Sequence, residues 1–473
     1  MKRQLFVLIS ALLLADTLPA QVPETPAGRL FSAWLTAINS GDRATLQQFM
    51  DRSMPGRPVE PGLAIRERTG GFEFKKVEES GDARIIVLAQ ERGPSEQFVR
   101  ITLNVAADAP DRVAGIGIQP TQPPPEFAPP RLNETELIAA LRGKLDRDAA
   151  ADRFAGTALV ARIRSGTSNV LFSKAYGLAD RERNVANTLD TQFRIGSMNK
   201  MFTAVSVLQL VQAGKIKLTD PLGKYLTDYP NQDVASKVTI HHLLTHTGGT
   251  GDIFGPQYAA RRLELRTLSD YVALYGSRAP AFEPGSRWAY SNYGMLLLGV
   301  VIEKVSGKSY YDYVAEHIYR TAGMTRSGSE PEIENVSGRS VGYMRPQASA
   351  AWSPNTNTLP WRGTSAGGGY STVGDLLKFA TALMGHRLLN AEYTALLIAG
   401  KVESGGSSKY AYGFSDTSRD GVRWVGHGGG APGMNGDLRI YPESGYVVAV
   451  LANLDPPAAG QVSAFIDLRL PKK

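Results

Sequence analysis

Pro120, Pro123-Pro124-Pro125 and Pro129-Pro130 fall within one short stretch of the chain. Proline fixes φ and removes a backbone donor, so this stretch can neither continue a helix nor sit inside a sheet; it favours a stiff extended form. The chain has 473 residues, more than one compact core accommodates by the usual scaling. Residues 120–131 are therefore read as a linker between a domain at 21–119 and a larger one at 132–473.

The first domain opens with apolar residues at helical spacing, Leu30, Phe31, Trp34, Leu35 and Ile38, and the pattern resumes at Leu46 and Phe49 after Gly41-Asp42. Strand-like runs follow at 72–77, 84–89, 97–105 and 113–118. Two helices before an antiparallel meander predict a small α+β accessory domain. Its element order is similar to the cone-shaped fold of nuclear transport factor 2. No polar constellation there suggests chemistry.

Ahead of it, Met1-Lys2-Arg3 and the apolar stretch Leu5 to Leu14 read as an export signal spanning 1–20, with cleavage after Ala20. The stretch is too short to span a bilayer, and an uncleaved anchor is the alternative. The expected location is periplasmic or secreted, with no stable transmembrane segment once the signal is removed. Cysteine is absent, which excludes disulfides, a thiol nucleophile and thiolate metal sites. The net charge of +7 is scattered, and no Lys/Arg run resembles a nucleic-acid footprint.

The second domain begins with a predicted helix at 134–150 and strands at 157–163 and 170–176. Its middle is helical, and strands return at 423–425, 437–441 and 446–451. The run Val447-Val448-Ala449-Val450-Leu451 suits a buried central strand. Strands at both ends with helices between predict an antiparallel sheet flanked by a helical region, an α+β class.

Three segments carry candidate chemistry. Phe193-Arg194-Ile195-Gly196-Ser197-Met198-Asn199-Lys200 is read as opening a helix that runs to Gly214. Positions three apart share a helix face, so Ser197 and Lys200 can touch. The helix is apolar around most of its circumference and should be buried. Burial lowers a lysine pKa and frees its neutral form as a base. Ser197 also stands at a helix start, where free N–H groups favour developing negative charge. Trp288-Ala289-Tyr290-Ser291-Asn292 leads into a second apolar helix, 295–305. There Tyr290 is a phenol that can pass a proton if a nearby cation lowers its pKa, and Asn292 offers an amide to substrate. Val425-Gly426-His427-Gly428-Gly429-Gly430 combines a strand with glycines that allow close backbone approach. The Gly430 N–H is a candidate second oxyanion donor beside that of Ser197.

Together the three segments, in this order, resemble the beta-lactamase-related serine hydrolases. That superfamily includes class C beta-lactamases, D-stereospecific peptidases and carboxylesterases of the beta-lactamase fold. The resemblance spans roughly Ala155 to Asn453, including Thr245-His246-Thr247-Gly248-Gly249 and Ala366-Gly367-Gly368-Gly369. It implies a beta-lactamase/transpeptidase-like domain with Ser197 as nucleophile, Lys200 as base and Tyr290 as shared acid and base. It also implies Asn292 as a substrate contact, with His427, Gly428 and Gly429 where relatives often carry Lys-Thr-Gly. That last departure puts beta-lactam turnover in question.

The expected activity is acyl transfer from a small ester, D-peptide or amide to water, without cofactor or metal; the oligomeric state stays open. The alternatives are a true beta-lactamase, or a peptidoglycan- or ligand-binding module that has lost catalysis. Gly363-Thr364-Ser365-Ala366-Gly367 fits G-x-S-x-G but lacks the preceding strand a nucleophile elbow needs. His246-Thr247-Gly248 imitates the third motif after a helical stretch. His242 and His246 have helical metal-ligand spacing but no intervening glutamate, so a metallohydrolase is the remote reading.

Overall fold

A computed structural model of the chain describes residues 21–93, 95–345 and 350–471. The export signal at 1–20 lies outside the described residues. The chain divides into two compact units, one ending at Ala128 and the other beginning at Pro129.

In the first unit Thr25 caps helix Pro26–Ser40 by accepting from the Gly28 N–H, and Asp42 caps helix Arg43–Ser53 in the same way from Thr45. A third helix, Glu60–Thr69, escaped the sequence reading. Pro61 and Gly62 open it, and Thr69 is its one fully buried residue, so it carries almost no apolar periodicity. Four antiparallel strands follow in sequence order, Phe72–Ser80, Arg84–Glu91, Phe98–Ala106 and Ala109–Pro120. Phe31, Trp34 and Ile38 pack with Phe72, Val87 and Ile101 into the core of this unit.

In the second unit an eight-stranded antiparallel sheet is the organising element. Its spatial order is Val402–Gly405, Ser408–Tyr410, Ser415–Arg419, Val422–Ala431, Met434–Ile440, Tyr446–Ala452, Gly156–Arg164 and Thr167–Tyr176. Every residue of Tyr446–Ala452 is buried. Val447, Ala449 and Leu451 join one core with Met201, Val205 and Leu208 of helix Asn199–Gln212. Val448, Val450 and Ala452 join the other with Leu137, Leu141, Val462 and Ile466 of helices Glu134–Ala150 and Ala458–Arg469. The period-2 alternation of a strand thus feeds two apolar layers at once, each buried Val, Leu, Ile or Met side chain contributing about 1.5–3 kcal/mol of transfer free energy.

Helix Glu134–Ala150 starts where the sequence indicates, because Asn133 and Glu136 form a reciprocal capping box. The three strands between Val402 and Arg419 were not anticipated. They are short, rich in serine and interrupted by Gly405-Gly406, and they form the edge of the sheet.

Candidate active site

Ser197 sits in a single 3₁₀ turn, Gly196–Met198, immediately before helix Asn199–Gln212. This corrects the expectation that one helix begins near Phe193. Phe193–Arg194 instead pairs as a short strand with Tyr370–Ser371, and the chain then turns sharply. Gly196 makes that turn at φ +52, a conformation that strains L side chains. Strand Val422–Ala431 passes so close that a Cβ on Gly429 would lie 1.9 Å from the Ile195 carbonyl oxygen, so only glycine fits there. The same approach brings the Gly430 amide nitrogen to 3.2 Å from where a Cβ on Gly196 would stand.

The 3₁₀ turn preserves the three-residue spacing on one face. Lys200 is fully buried, and its Nζ donates to Ser197 Oγ at 3.0 Å and to Asn292 Oδ1 at 2.7 Å. A third, very short bond runs from Nζ to the Ala366 carbonyl. Burial drives the Lys200 pKa down to about 7, with the Asp252 carboxylate pulling the other way. Near neutrality the ammonium and the free amine are therefore comparably populated.

Tyr290 lies on the extended stretch before helix Asn292–Ser306, which Ser291 caps by accepting from Gly294 N–H at 2.9 Å. Lys200 Nζ stands 4.7 Å from the Tyr290 ring centre. Burial pushes the Tyr290 phenol well above its ordinary value, opposed by a hydrogen bond with Ser197. From the sequence, proton transfer by this phenol is expected to need a neighbouring cation that lowers its pKa; burial instead dominates and raises it, so Tyr290 holds its proton and Lys200 is the group poised to lose one.

Both ends of the Asn292 amide are engaged within the protein. Oδ1 accepts from Lys200, and Nδ2 donates to Asp252 Oδ2 at 3.2 Å. The geometry makes Asn292 an orienter of the lysine, in addition to the substrate contact the resemblance implies. His427 is buried, with Nδ1 2.5 Å from the Gly428 carbonyl oxygen and Nε2 3.1 Å from the Tyr410 hydroxyl. Burial, reinforced by Lys200, lowers its pKa to about 4. Gly428 is exposed and Gly429 buried.

Two motifs set aside in the sequence have structural roles beside Ser197. Ser365 is fully buried, with its Oγ unpartnered. Its loop, however, supplies the carbonyls that accept from Asn199 Nδ2 (Thr364, 2.6 Å), Thr203 Oγ1 (Ser365, 2.7 Å) and Lys200 (Ala366). The histidines do not share a helix: Ile240–Leu244 ends before His246, and His242 Nδ1 closes its capping box. His246 has a left-handed backbone, φ 58, and accepts at Nδ1 from the Ser291 N–H. Its ring lies 4.4 Å from that of Tyr290 and 4.5 Å from that of Tyr410. Asp252 and Tyr410 were missed altogether. They lie on a loop and on a three-residue strand next to the sheet edge, with no motif of their own, and only their positions in space connect them to Lys200 and His427.

A serine hydroxyl bonded to a buried lysine, beside an antiparallel sheet with helices on both faces, is an arrangement suited to acyl transfer. The sequence profile of the beta-lactamase family matches residues 142–470. The chain belongs to that family, and it is a serine hydrolase of the beta-lactamase fold. It is 30% identical over 308 residues to a putative penicillin-binding protein, PbpX, of Bacillus subtilis, covering 63% of this chain and 70% of the relative. It is 33% identical over 218 residues to the esterase EstB of Burkholderia gladioli, covering 42% of this chain and 54% of that protein. A penicillin-binding protein structure from Bacillus halodurans superposes with a TM-score of 0.61 at 32% identity, covering 71% of this chain and 99% of that one. No helix among the described residues is long and apolar enough to cross a membrane.

Proposed function

We propose that the chain is an exported hydrolase that acylates Ser197 with a small ester or related acyl donor and passes the acyl group to water. The observation that carries this reading is the Lys200 amine 3.0 Å from Ser197 Oγ, with burial holding its pKa at about 7. The neutral amine takes the Ser197 proton as Oγ attacks the acyl carbon. The N–H groups of Ser197 and Gly430 face the developing oxyanion. As the acyl carbon–oxygen bond breaks, the leaving alkoxide takes the proton that burial retains on Tyr290, and the Lys200 ammonium returns one to the phenolate. Water then repeats the attack on the acyl-enzyme, and Ser197 recovers its proton.

Esters are favoured over cephalosporins because the third motif reads His427-Gly428-Gly429, without a lysine or a threonine hydroxyl. The likeness to a named esterase is consistent with this preference. Export rests on the pattern of residues 1–20. The 21–119 region is proposed as an accessory or substrate-positioning module. The test is labelling with a fluorophosphonate probe followed by peptide mass mapping, alongside a panel of short-chain esters, D-peptides and a chromogenic cephalosporin. Label on Ser197 and highest catalytic efficiency on an ester are expected. Label elsewhere, or a cephalosporin outpacing every ester, overturns the reading.

A further inference from the structure

We infer that Asp252 is a positioning residue for the reaction: its carboxylate fixes which end of the Asn292 amide faces Lys200 and so aims the lone pair of the lysine amine at Ser197. The inference rests on the acyl-transfer reading above and deepens it, because it names the group that sets the direction of proton transfer.

A neutral lysine amine carries two N–H groups and one lone pair. Lys200 Nζ has three hydrogen-bond neighbours: Ser197 Oγ, Asn292 Oδ1 and the Ala366 carbonyl. The last two are carbonyl oxygens, which only accept. They take both N–H groups, and the lone pair is left to the Ser197 hydroxyl, 3.0 Å away. Ser197 then donates to the group that is to remove its proton. This holds only while the oxygen of Asn292 points at Lys200. Turning the amide over would present Nδ2–H to the lysine, and that donor would occupy the lone pair.

Asp252 opposes that turn. Its Oδ1 accepts from the Asn292 N–H at 3.1 Å and from the Ile253 N–H at 2.7 Å, and its Oδ2 accepts from Asn292 Nδ2 at 3.2 Å. Arg278 Nη1 donates to the Asp252 carbonyl at 2.8 Å and so ties down the loop. A carboxylate only accepts, so a reversed amide would set oxygen against oxygen at Asp252 and remove an acceptor from Lys200. Tyr290, His246 and His427 also lie near Lys200, and burial keeps all three uncharged at neutral pH. Asp252 thus acts on Lys200 in two ways, through its negative charge and through the amide it orients, and the two are separable.

The test records kcat/KM on an activated ester against pH for wild type, for Asp252→Asn, and for Asp252→Asn combined with Asn292→Asp, each shown to be folded by its unfolding midpoint. In Asp252→Asn the introduced amide oxygen keeps the two backbone N–H groups, so its nitrogen faces Asn292, whose own amide must turn over. Loss of charge alone moves the inflection and leaves unchanged the alkaline plateau, where the amine is neutral. Loss of orientation should lower that plateau by about 10–100-fold, the usual effect of removing a group that orients a catalytic one. The combined variant restores the order of donors and acceptors: the amide introduced at 252 donates, and the carboxylate introduced at 292 accepts from it and from Lys200. Most of the lost plateau should return, with the inflection above that of wild type because the carboxylate now touches the lysine. An unchanged plateau in Asp252→Asn, or a combined variant no faster than the single one, overturns the inference. Neutron diffraction from perdeuterated wild-type crystals gives a readout that needs no variant. The Asn292 nitrogen toward Asp252 and its oxygen toward Lys200 are expected; the reverse sinks the inference. Absence of fluorophosphonate label on Ser197 would refute the acyl-transfer reading separately, because the amide orientation does not depend on it.

Discussion

The segments Gly196–Lys200 and Gly363–Gly367 each present a serine preceded at close range by glycine, and both touch the same lysine. One offers Lys200 its serine hydroxyl, the other the carbonyl of Ala366. Ser197 is partly exposed and bonded to an amine that can accept its proton. Ser365 is sealed from solvent, and its Oγ would lie 2.3 Å from a Cβ placed on Gly299. A nucleophile needs both a base and a path to the substrate. The comparison shows that a motif is completed by its surroundings, and that a segment with the wrong surroundings can still serve the right one as scaffold.

The largest effect that would break this contrast is at Ser197, the proposed nucleophile. Ser197→Ala should lower kcat on an activated ester by on the order of 10⁶-fold, as removal of a hydrolase nucleophile does; a variant with substantial turnover would transfer the role to another residue. Next is Lys200→Arg, which keeps a cation but cannot give up its proton. The acylation rate should fall by about 10²–10⁴-fold in a variant whose unfolding midpoint shows it to be folded. A loss smaller than about tenfold would leave Lys200 as a fixed charge and make Tyr290 the base.

The pH profile sharpens the comparison further. Because only the free amine accepts a proton, kcat/KM should rise about tenfold per pH unit below the Lys200 pKa of about 7 and level off above it. Asp252 is the charge that holds this pKa up against burial. Asp252→Asn should therefore move the inflection to lower pH, and an upward move would contradict the assigned electrostatics. The sign for stability follows from the same shift. Between about 7 and the unfolded value of 10.5 the unfolded state binds the extra proton, so the Lys200 contribution to stability rises with pH across that window. The smallest effect is expected at Ser365→Ala, which removes a buried hydroxyl that has no partner. Turnover should stay within about threefold and stability within about 1 kcal/mol, as for changes that break no network. A dead Ser365 variant would invert the whole comparison.

What the amino-acid order determined by itself is whatever repeats at short range. The Ser197–Lys200 spacing places two groups on one face whether the turn is 3₁₀ or α. The apolar, β-branched run at Val447–Leu451 suits a strand buried on both faces. Asn133 and Glu136 mark the start of their helix. Each follows from local stereochemistry and from the price of exposing apolar surface, both of which leave a periodic trace. The tertiary structure alone decided which distant groups surround Lys200 and His427. Asp252, Ala366 and Tyr410 come from a loop, a tight turn and a short strand next to the sheet edge, separated from their partners by 17 to 166 residues and held there by the packing of the sheet against its helices. No local period records such a meeting, because the free energy that fixes it belongs to the assembled core rather than to any one segment.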